Sequence, residues 1–206
     1  ASQYEQLGNN DFQSGALFYN IGNAWMRAGA PARAIAAYRQ AQRYRPRDPY
    51  LAANLQSALA ATGRATAATG DAGVADYLLF WQEWVSYPEK LALTTSLLAA
   101  AIIASLLSQL TRHRSLCRRT AMWTGILTLL SVTSIALDWY DFDQTQHGVV
   151  IADEVIARKG NSENYEPAFT NALREGMEFV IVDHRTKWLQ IQIDDSELAW
   201  IPTRAA

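Results

Sequence analysis

The sequence has one cysteine, Cys117, in 206 residues. That excludes an internal disulfide and a cysteine-based zinc site. Histidine is almost as scarce: His113, His147 and His184 are scattered along the chain, so a structural metal is not expected. Charge is thin, at 18% of residues with a formal net charge of -2, and leaves no electrostatic footprint for nucleic acid. Neither a glycine-rich phosphate loop nor a nucleophile elbow occurs. His184, between Asp183 and Arg185 at a strand end, reads as a solvated turn, and His147 falls in a linker. Cys117 adjoins Arg118, so palmitoylation or redox sensing stays open there. The chain is expected to be non-enzymatic, without cofactor or metal.

Half of the residues are hydrophobic, and they are concentrated. Residues 91–110 and 120–137 form runs of 20 and 18 positions without a charge. A bilayer core takes roughly 20 apolar residues, with a range of about 17 to 25. Two buried helices of a soluble bundle are the alternative, but such helices carry a polar face. We therefore expect transmembrane helices over 90–110 and 120–138, joined by a basic loop over 111–119. Arg112, Arg114, Arg118 and Arg119 crowd that loop, whereas the outer flanks carry Glu83, Glu89, Asp138, Asp141 and Asp143. Short loops rich in arginine stay cytoplasmic. Both termini then face outward, toward the periplasm of a bacterial inner membrane. That orientation implies a leader, removed from or absent from this chain.

Aromatic residues suit the same frame. Trp81, Trp84 and Tyr87 precede the first run, and Trp139, Tyr140 and Phe142 follow the second, as at a membrane interface. Residues 77–89 read as an interfacial helix ended by Pro88, or as the first turns of a longer span. Ala100, Ala104 and Ser108, with Thr124, Gly125 and Thr128, suit close helix approach, within the hairpin or against a partner's helix.

Before the membrane lies SGALFYNIGNAWMRAGAPARAIAAYRQAQRYRPRDP. Phe18, Ile21, Gly22, Trp25, Ala34, Tyr38, Ala41 and Pro46 sit at the places of a tetratricopeptide repeat (TPR), which this segment resembles. Gly22 and Ala34 are small where two helices cross, and Gly29 and Pro31 supply the turn. A shift of about 34 residues, the repeat length, maps Ile21 to Leu55 and Tyr38 to Tyr4. Residues 1–63 therefore read as a partial repeat, one full repeat and a capping helix, followed by a linker over 64–76. The resemblance implies a partner-binding concave face with Tyr19, Asn23, Arg27 and Asn54 on it. Asn23 and Asn54 resemble asparagines that clamp a bound peptide; alternatively they fix helix packing. Tyr19 stands where a carboxylate clamp has lysine, so a C-terminal carboxylate is not the implied ligand.

From residue 148 the pattern turns to short alternating strands. Val155, Arg158, Gly160 and Ser162, then Glu175-Gly176, Trp188, and Ala199-Trp200-Ile201 resemble a bacterial SH3-like (SH3b) domain over 148–203. Val155, Arg158, Gly160, Gly176, Trp188 and Trp200 are its expected core, with ligand binding a second use for the two tryptophans. The expected architecture is thus a multi-domain membrane protein with an α-helical TPR segment, a two-helix transmembrane hairpin and a small all-β SH3b-like barrel. In that order the parts resemble the BatE-type proteins of bacterial aerotolerance (Bat) operons. The resemblance implies a membrane scaffold in an envelope stress complex, alongside von Willebrand A-domain membrane proteins and a MoxR-type ATPase. Alternative readings are a peptidoglycan-binding module and an envelope sensor signalling through the arginine loop.

Cys117 serves as a built-in topology probe. A membrane-impermeant maleimide should leave it unlabelled in intact cells and label it after permeabilisation, while a tag at either terminus reacts with external reagents. Labelling of Cys117 in intact cells would reverse the orientation.

Overall fold

The computed structural model describes residues 14–63, 84–140, 146–193 and 198–206. The partial repeat at 1–13, the linker 64–76, residues 77–83 of the interfacial segment, Asp141, Phe142 and Asp143 lie outside the described residues. The chain divides into two compact units. One combines Ala1–Leu78 with Gln144–Ala206; the other is Leu79–Asp143.

The first unit begins with three helices: α1 (Gly15–Arg27), α2 (Pro31–Tyr44) and α3 (Pro49–Ala61). Each boundary has a local cause. The Ser14 hydroxyl accepts from the Leu17 N–H at 3.2 Å and opens α1. Gly29, at φ +72°, closes it, and Pro31 starts α2 where its missing N–H costs nothing. The Asp48 carboxylate accepts from the N–H groups of Tyr50 and Leu51 and caps α3, with Pro49 just inside. Phe18, Ile21, Ala34, Ile35, Tyr38, Ala41, Leu51 and Leu55 are buried together between the helices. At Gly22 the α1–α2 approach leaves no space: a Cβ there would lie 2.3 Å from Tyr38 Cε1. Trp25 and Pro46 are only half-buried, and the Arg33 guanidinium lies 4.6 Å above the Trp25 ring.

Six strands complete this unit: β1 (Gln146–Val149), β2 (Glu154–Val155), β3 (Leu173–Arg174), β4 (Glu178–Arg185), β5 (Trp188–Gln192) and β6 (Ala199–Pro202). They form an antiparallel four-stranded sheet, in order β1-β4-β5-β6, and a two-stranded sheet, β2-β3. The acidic turn at 194–197 lies outside the described residues. Arg158 and Trp200 exchange backbone hydrogen bonds at 2.9 and 2.8 Å, which extends the larger sheet by a single residue. No closed barrel forms among the described residues. β2 and β3 are two residues each, too short to continue the ladder on both sides.

The expected core of this region needs correction. Val155, Arg158, Trp188 and Trp200 are half-buried, not central. The buried cluster is Val150, Ala157, Leu173, Phe179, Leu189, Ile191, Ile193, Ala199 and Ile201. The cause is strand alternation: along β5 and β6, Leu189, Ile191, Ala199 and Ile201 face inward. Trp188 and Trp200 therefore face outward.

The second unit is a helical hairpin of α4 (Tyr87–Leu110) and α5 (Arg114–Trp139). Both helices are long and apolar enough to cross a membrane, at about 36 and 39 Å from a rise of about 1.5 Å per residue. The bend is shorter than the expected 111–119. Arg118 and Arg119 lie within α5, because nothing in RSLCRR breaks a helix. Pro88 likewise opens α4 instead of ending an interfacial helix. The Ser86 N–H and hydroxyl both donate to the Glu89 carboxylate at 2.9 Å and fix that start.

The hairpin encloses small and polar residues and turns large apolar ones outward. Lys90, Thr94, Leu97, Ala101, Ala104 and Ser108 of α4 are buried or half-buried. So are Cys117, Ala121, Thr124, Thr128, Ser131 and Asp138 of α5. Steps of four and three make this a coiled-coil seam. Ala100, expected on it, is exposed, and Ala101 takes its place. Nothing approaches a Cβ placed on Gly125. At the seam's open end the Lys90 ammonium donates to both Asp138 carboxylate oxygens at 2.9 Å, with the lysine side chain 3% exposed. Beside it the hydroxyls of Thr94 and Ser131 pair. Leucines, isoleucines, Met122 and Trp123 cover the outside.

Gly22→Ala should destabilise the first unit by about 1–3 kcal/mol, because a rigid Tyr38 ring occupies the methyl's place. The urea midpoint of the full chain in detergent, followed by tryptophan fluorescence, measures this; an unchanged midpoint would show that the helices can part without cost.

Candidate functional site

Helix α1 presents Tyr19 and Asn23 one turn apart, and α3 presents Asn54 across from them. The structure joins these side chains through Tyr38 of α2. Asn54 Nδ2 donates to Tyr19 Oη at 3.0 Å and to Asn23 Oδ1 at 2.9 Å. Asn23 Oδ1 also accepts from Tyr38 Oη at 2.8 Å. Helix spacing explains why three elements meet here: Asn23 follows the close-packed Gly22, so its side chain reaches over Tyr38. The Arg45 guanidinium lies 5.6 Å from the Tyr19 ring centroid, and Arg27 is exposed at the end of α1.

Of the four concave-face residues, three are thus tied together and Arg27 is not. The asparagines are not an open clamp, since each amide gives one end to the network. The amide leaves two groups over: Asn54 Oδ1, an acceptor, and Asn23 Nδ2, a donor. Neither has a hydrogen-bond partner among the described residues. Burial raises the Tyr38 pKa above its ordinary value, and the neighbouring Tyr19 phenol adds to the rise. Asn54 and the Arg27 cation act in the opposite sense.

Across the molecule's β segment, the outer face of β5 and β6 carries Trp188, Gln190, Gln192 and Trp200. Gln190 and Trp200 are register partners. The Arg185 guanidinium lies 5.9 Å from the Trp200 ring centroid. Arg185 Nε donates to the Asp183 carboxylate at 3.0 Å. That bond, with the donated His184 N–H, holds the Asp183 carboxyl below the usual range. Arg158 Nη1 donates to the Tyr165 carbonyl at 2.7 Å, and the Tyr165 ring lies directly over Gly160. Val155 sits in β2, opposite Leu173.

The β segment also docks on the helices, a contact the sequence did not suggest. Val149 is buried in the helical core, and Ile151 packs against it. Arg39 of α2 grips Glu178 of β4 with two hydrogen bonds of 2.9 Å. Gly176, at φ +82°, lies against Thr62, where a Cβ would come within 2.5 Å of the hydroxyl. Arg39 and Glu178 stand 139 residues apart, so no local pattern could pair them.

At the hairpin bend, Arg112, Arg114, Arg118 and Arg119 are all exposed, as is His113. Cys117 is half-buried, with its sulfur 3.6 Å from the Thr111 hydroxyl. Among the described residues, no three His, Cys, Asp or Glu side chains gather as a metal site. No protein family, curated protein or solved structure matches the chain.

Tyr38 gives the network a pH signature. Its folded pKa lies above the unfolded value, so the native state holds the proton longer. Its contribution to stability is complete below about pH 10, the ordinary tyrosine value, and is lost as pH climbs through the raised pKa. Asn54→Leu should cost about 1–3 kcal/mol at neutral pH by stranding its partners. Tyr38→Phe should flatten the alkaline decline in urea midpoint relative to the unaltered chain. Parallel alkaline curves for the two would rule this group out as its source.

Proposed function

We propose that the chain is a non-enzymatic adaptor, anchored in a bacterial inner membrane by its hairpin, with a TPR-like face and an SH3b-like domain outside. The observation that carries the partner-binding part is the Asn23–Asn54 pair. Its leftover acceptor and donor match what an extended peptide backbone offers, an N–H and a carbonyl. The network holds both amides in fixed orientation, so binding costs little side-chain ordering.

The membrane part rests on the hairpin's inverted polarity. In water, so many outward leucines and isoleucines would drive association; against lipid they cost nothing. Hydroxyls on both helices bond back to carbonyls one turn earlier, as for Thr95, Ser96, Thr124 and Thr128. That satisfies them where no water reaches. The seam consumes the small residues within the hairpin, so the helices offer lipid, not a partner helix, their outer faces.

The docking of the β segment on α2 supports the topology. Segments separated by the hairpin can touch only from the same side, which calls for an even number of crossings. The arginine bend then sits on the cytoplasmic side and both termini in the periplasm. By its resemblance, the complex is an envelope stress assembly with von Willebrand A-domain membrane proteins and a MoxR-type ATPase.

A second reading, a peptidoglycan-binding module, draws on the outward Trp188 and Trp200 flanking Gln190. Flat aromatic rings beside amides suit wall glycans or peptides.

Affinity capture of the full chain from mild detergent should recover integral membrane proteins. Arg27→Glu, an exposed change, should weaken recovery by about fivefold or more. Recovery of the chain alone in every detergent tried would refute the adaptor. Co-sedimentation of the same preparation with wall sacculi, lost on changing both tryptophans to alanine, would favour the second reading instead.

A further inference from the structure

The four arginines at the bend pose a charge problem that the chain does not solve. Arg112, Arg114, Arg118 and Arg119 fall within eight residues. All are exposed, and none has an ion pair or side-chain hydrogen bond among the described residues. Between residues 91 and 137 there is no acidic residue. The nearest in sequence are Glu89 and Asp138, at the far ends of α4 and α5. Those acids lie about 29 to 35 Å from the nearest arginine along the helices, several times the roughly 8 Å over which charges act at physiological salt. Both acids are also engaged, Glu89 with Ser86 and Asp138 with Lys90.

Helix polarity does not relieve the crowding. α4 ends at the bend and α5 begins there, so the negative end of one backbone dipole offsets the positive end of the other. α5 has no acidic residue in its first turn and no side-chain cap. Instead Arg114 opens it, and Arg118 lies one turn on, a like-charged pair that destabilises a helix on its own. Guanidinium groups bind phosphate oxygens in a two-pronged fashion. The cluster stands at the tip of two apolar helices.

We infer that this cluster is a binding site for the phosphate of anionic lipid headgroups, and that the hairpin carries such lipids at its bend. The inference rests on the reading of the hairpin as membrane-spanning. The ligand chemistry is a phosphodiester, supplied by lipid and not by free phosphate. The arginines then do more than set orientation: they select the lipid around the protein's cytoplasmic end.

The test uses the full chain in nanodiscs of equimolar phosphatidylglycerol and phosphatidylcholine, released into mild detergent for native mass spectrometry. Retained phosphatidylglycerol should exceed phosphatidylcholine by about tenfold. Arg112→Gln/Arg114→Gln and Arg118→Gln/Arg119→Gln each leave two arginines for orientation, and each should reduce that preference to about threefold or less. Excess inorganic phosphate should not displace the lipid. Equal retention of both lipids, wild-type preference in both paired variants, or displacement by inorganic phosphate would each overturn the inference. Failure to enter nanodiscs of phosphatidylcholine alone would sink the membrane reading itself, since that step involves no anionic headgroup.

Discussion

Docking of the β segment on α2 is the contact on which the chain's organisation depends. Val149 and Ile151 insert into the helical core, and Arg39 clasps Glu178 with both prongs of its guanidinium. The apolar part supplies most of the stabilisation, because the ion pair is partly exposed and therefore weak. The geometry, however, is specific. Gly176 meets Thr62 so closely that no side chain fits between them. Three helices are few for a helical repeat to stand alone. Here β1 and its extension pack on α2 and add to the helical core. Tyr19, Asn23 and Asn54 stay partly exposed.

The hairpin solves a different problem with the same chemistry inverted. Its seam holds a lysine, an aspartate, serines and threonines, and its surface holds leucine and isoleucine. Removing Lys90 and Asp138 from water is costly, and their two short hydrogen bonds offset that cost only as a pair. Loss of either partner would strand a buried charge. The pair lies near the helix ends opposite the bend, where it fastens the hairpin against splaying. Close packing of Ala101, Ala104 and Thr124 continues the contact, while the hydroxyls stay satisfied by their own helices.

Much of the helical framework was legible because its causes are local. Gly29 before Pro31 and Gly22 three residues ahead of Trp25 announce a turn and a close crossing that the structure contains; the Asp48 cap of α3 has no counterpart in that reading. Arg118 and Arg119 continue the helix despite their charge, because arginine is a good helix former. Pro88 stands in the first turn of α4, a place proline suits as well as a helix stop. The SH3b resemblance implies Trp188 and Trp200 as core. Alternation set them outward, because Leu189 and Ile201 occupy the inner places.

By itself the sequence determined the two apolar helices, the arginine bend between them, and the helical and β characters of the flanking segments. Each follows from runs, periods and caps spanning fewer than about 20 residues. Only the tertiary structure decided that Asn23 and Asn54 bind each other, that Lys90 faces Asp138, and that Arg39 meets Glu178. Those choices join residues 31, 48 and 139 positions apart. A polar side chain carries no mark of its partner until packing brings the two within hydrogen-bond reach.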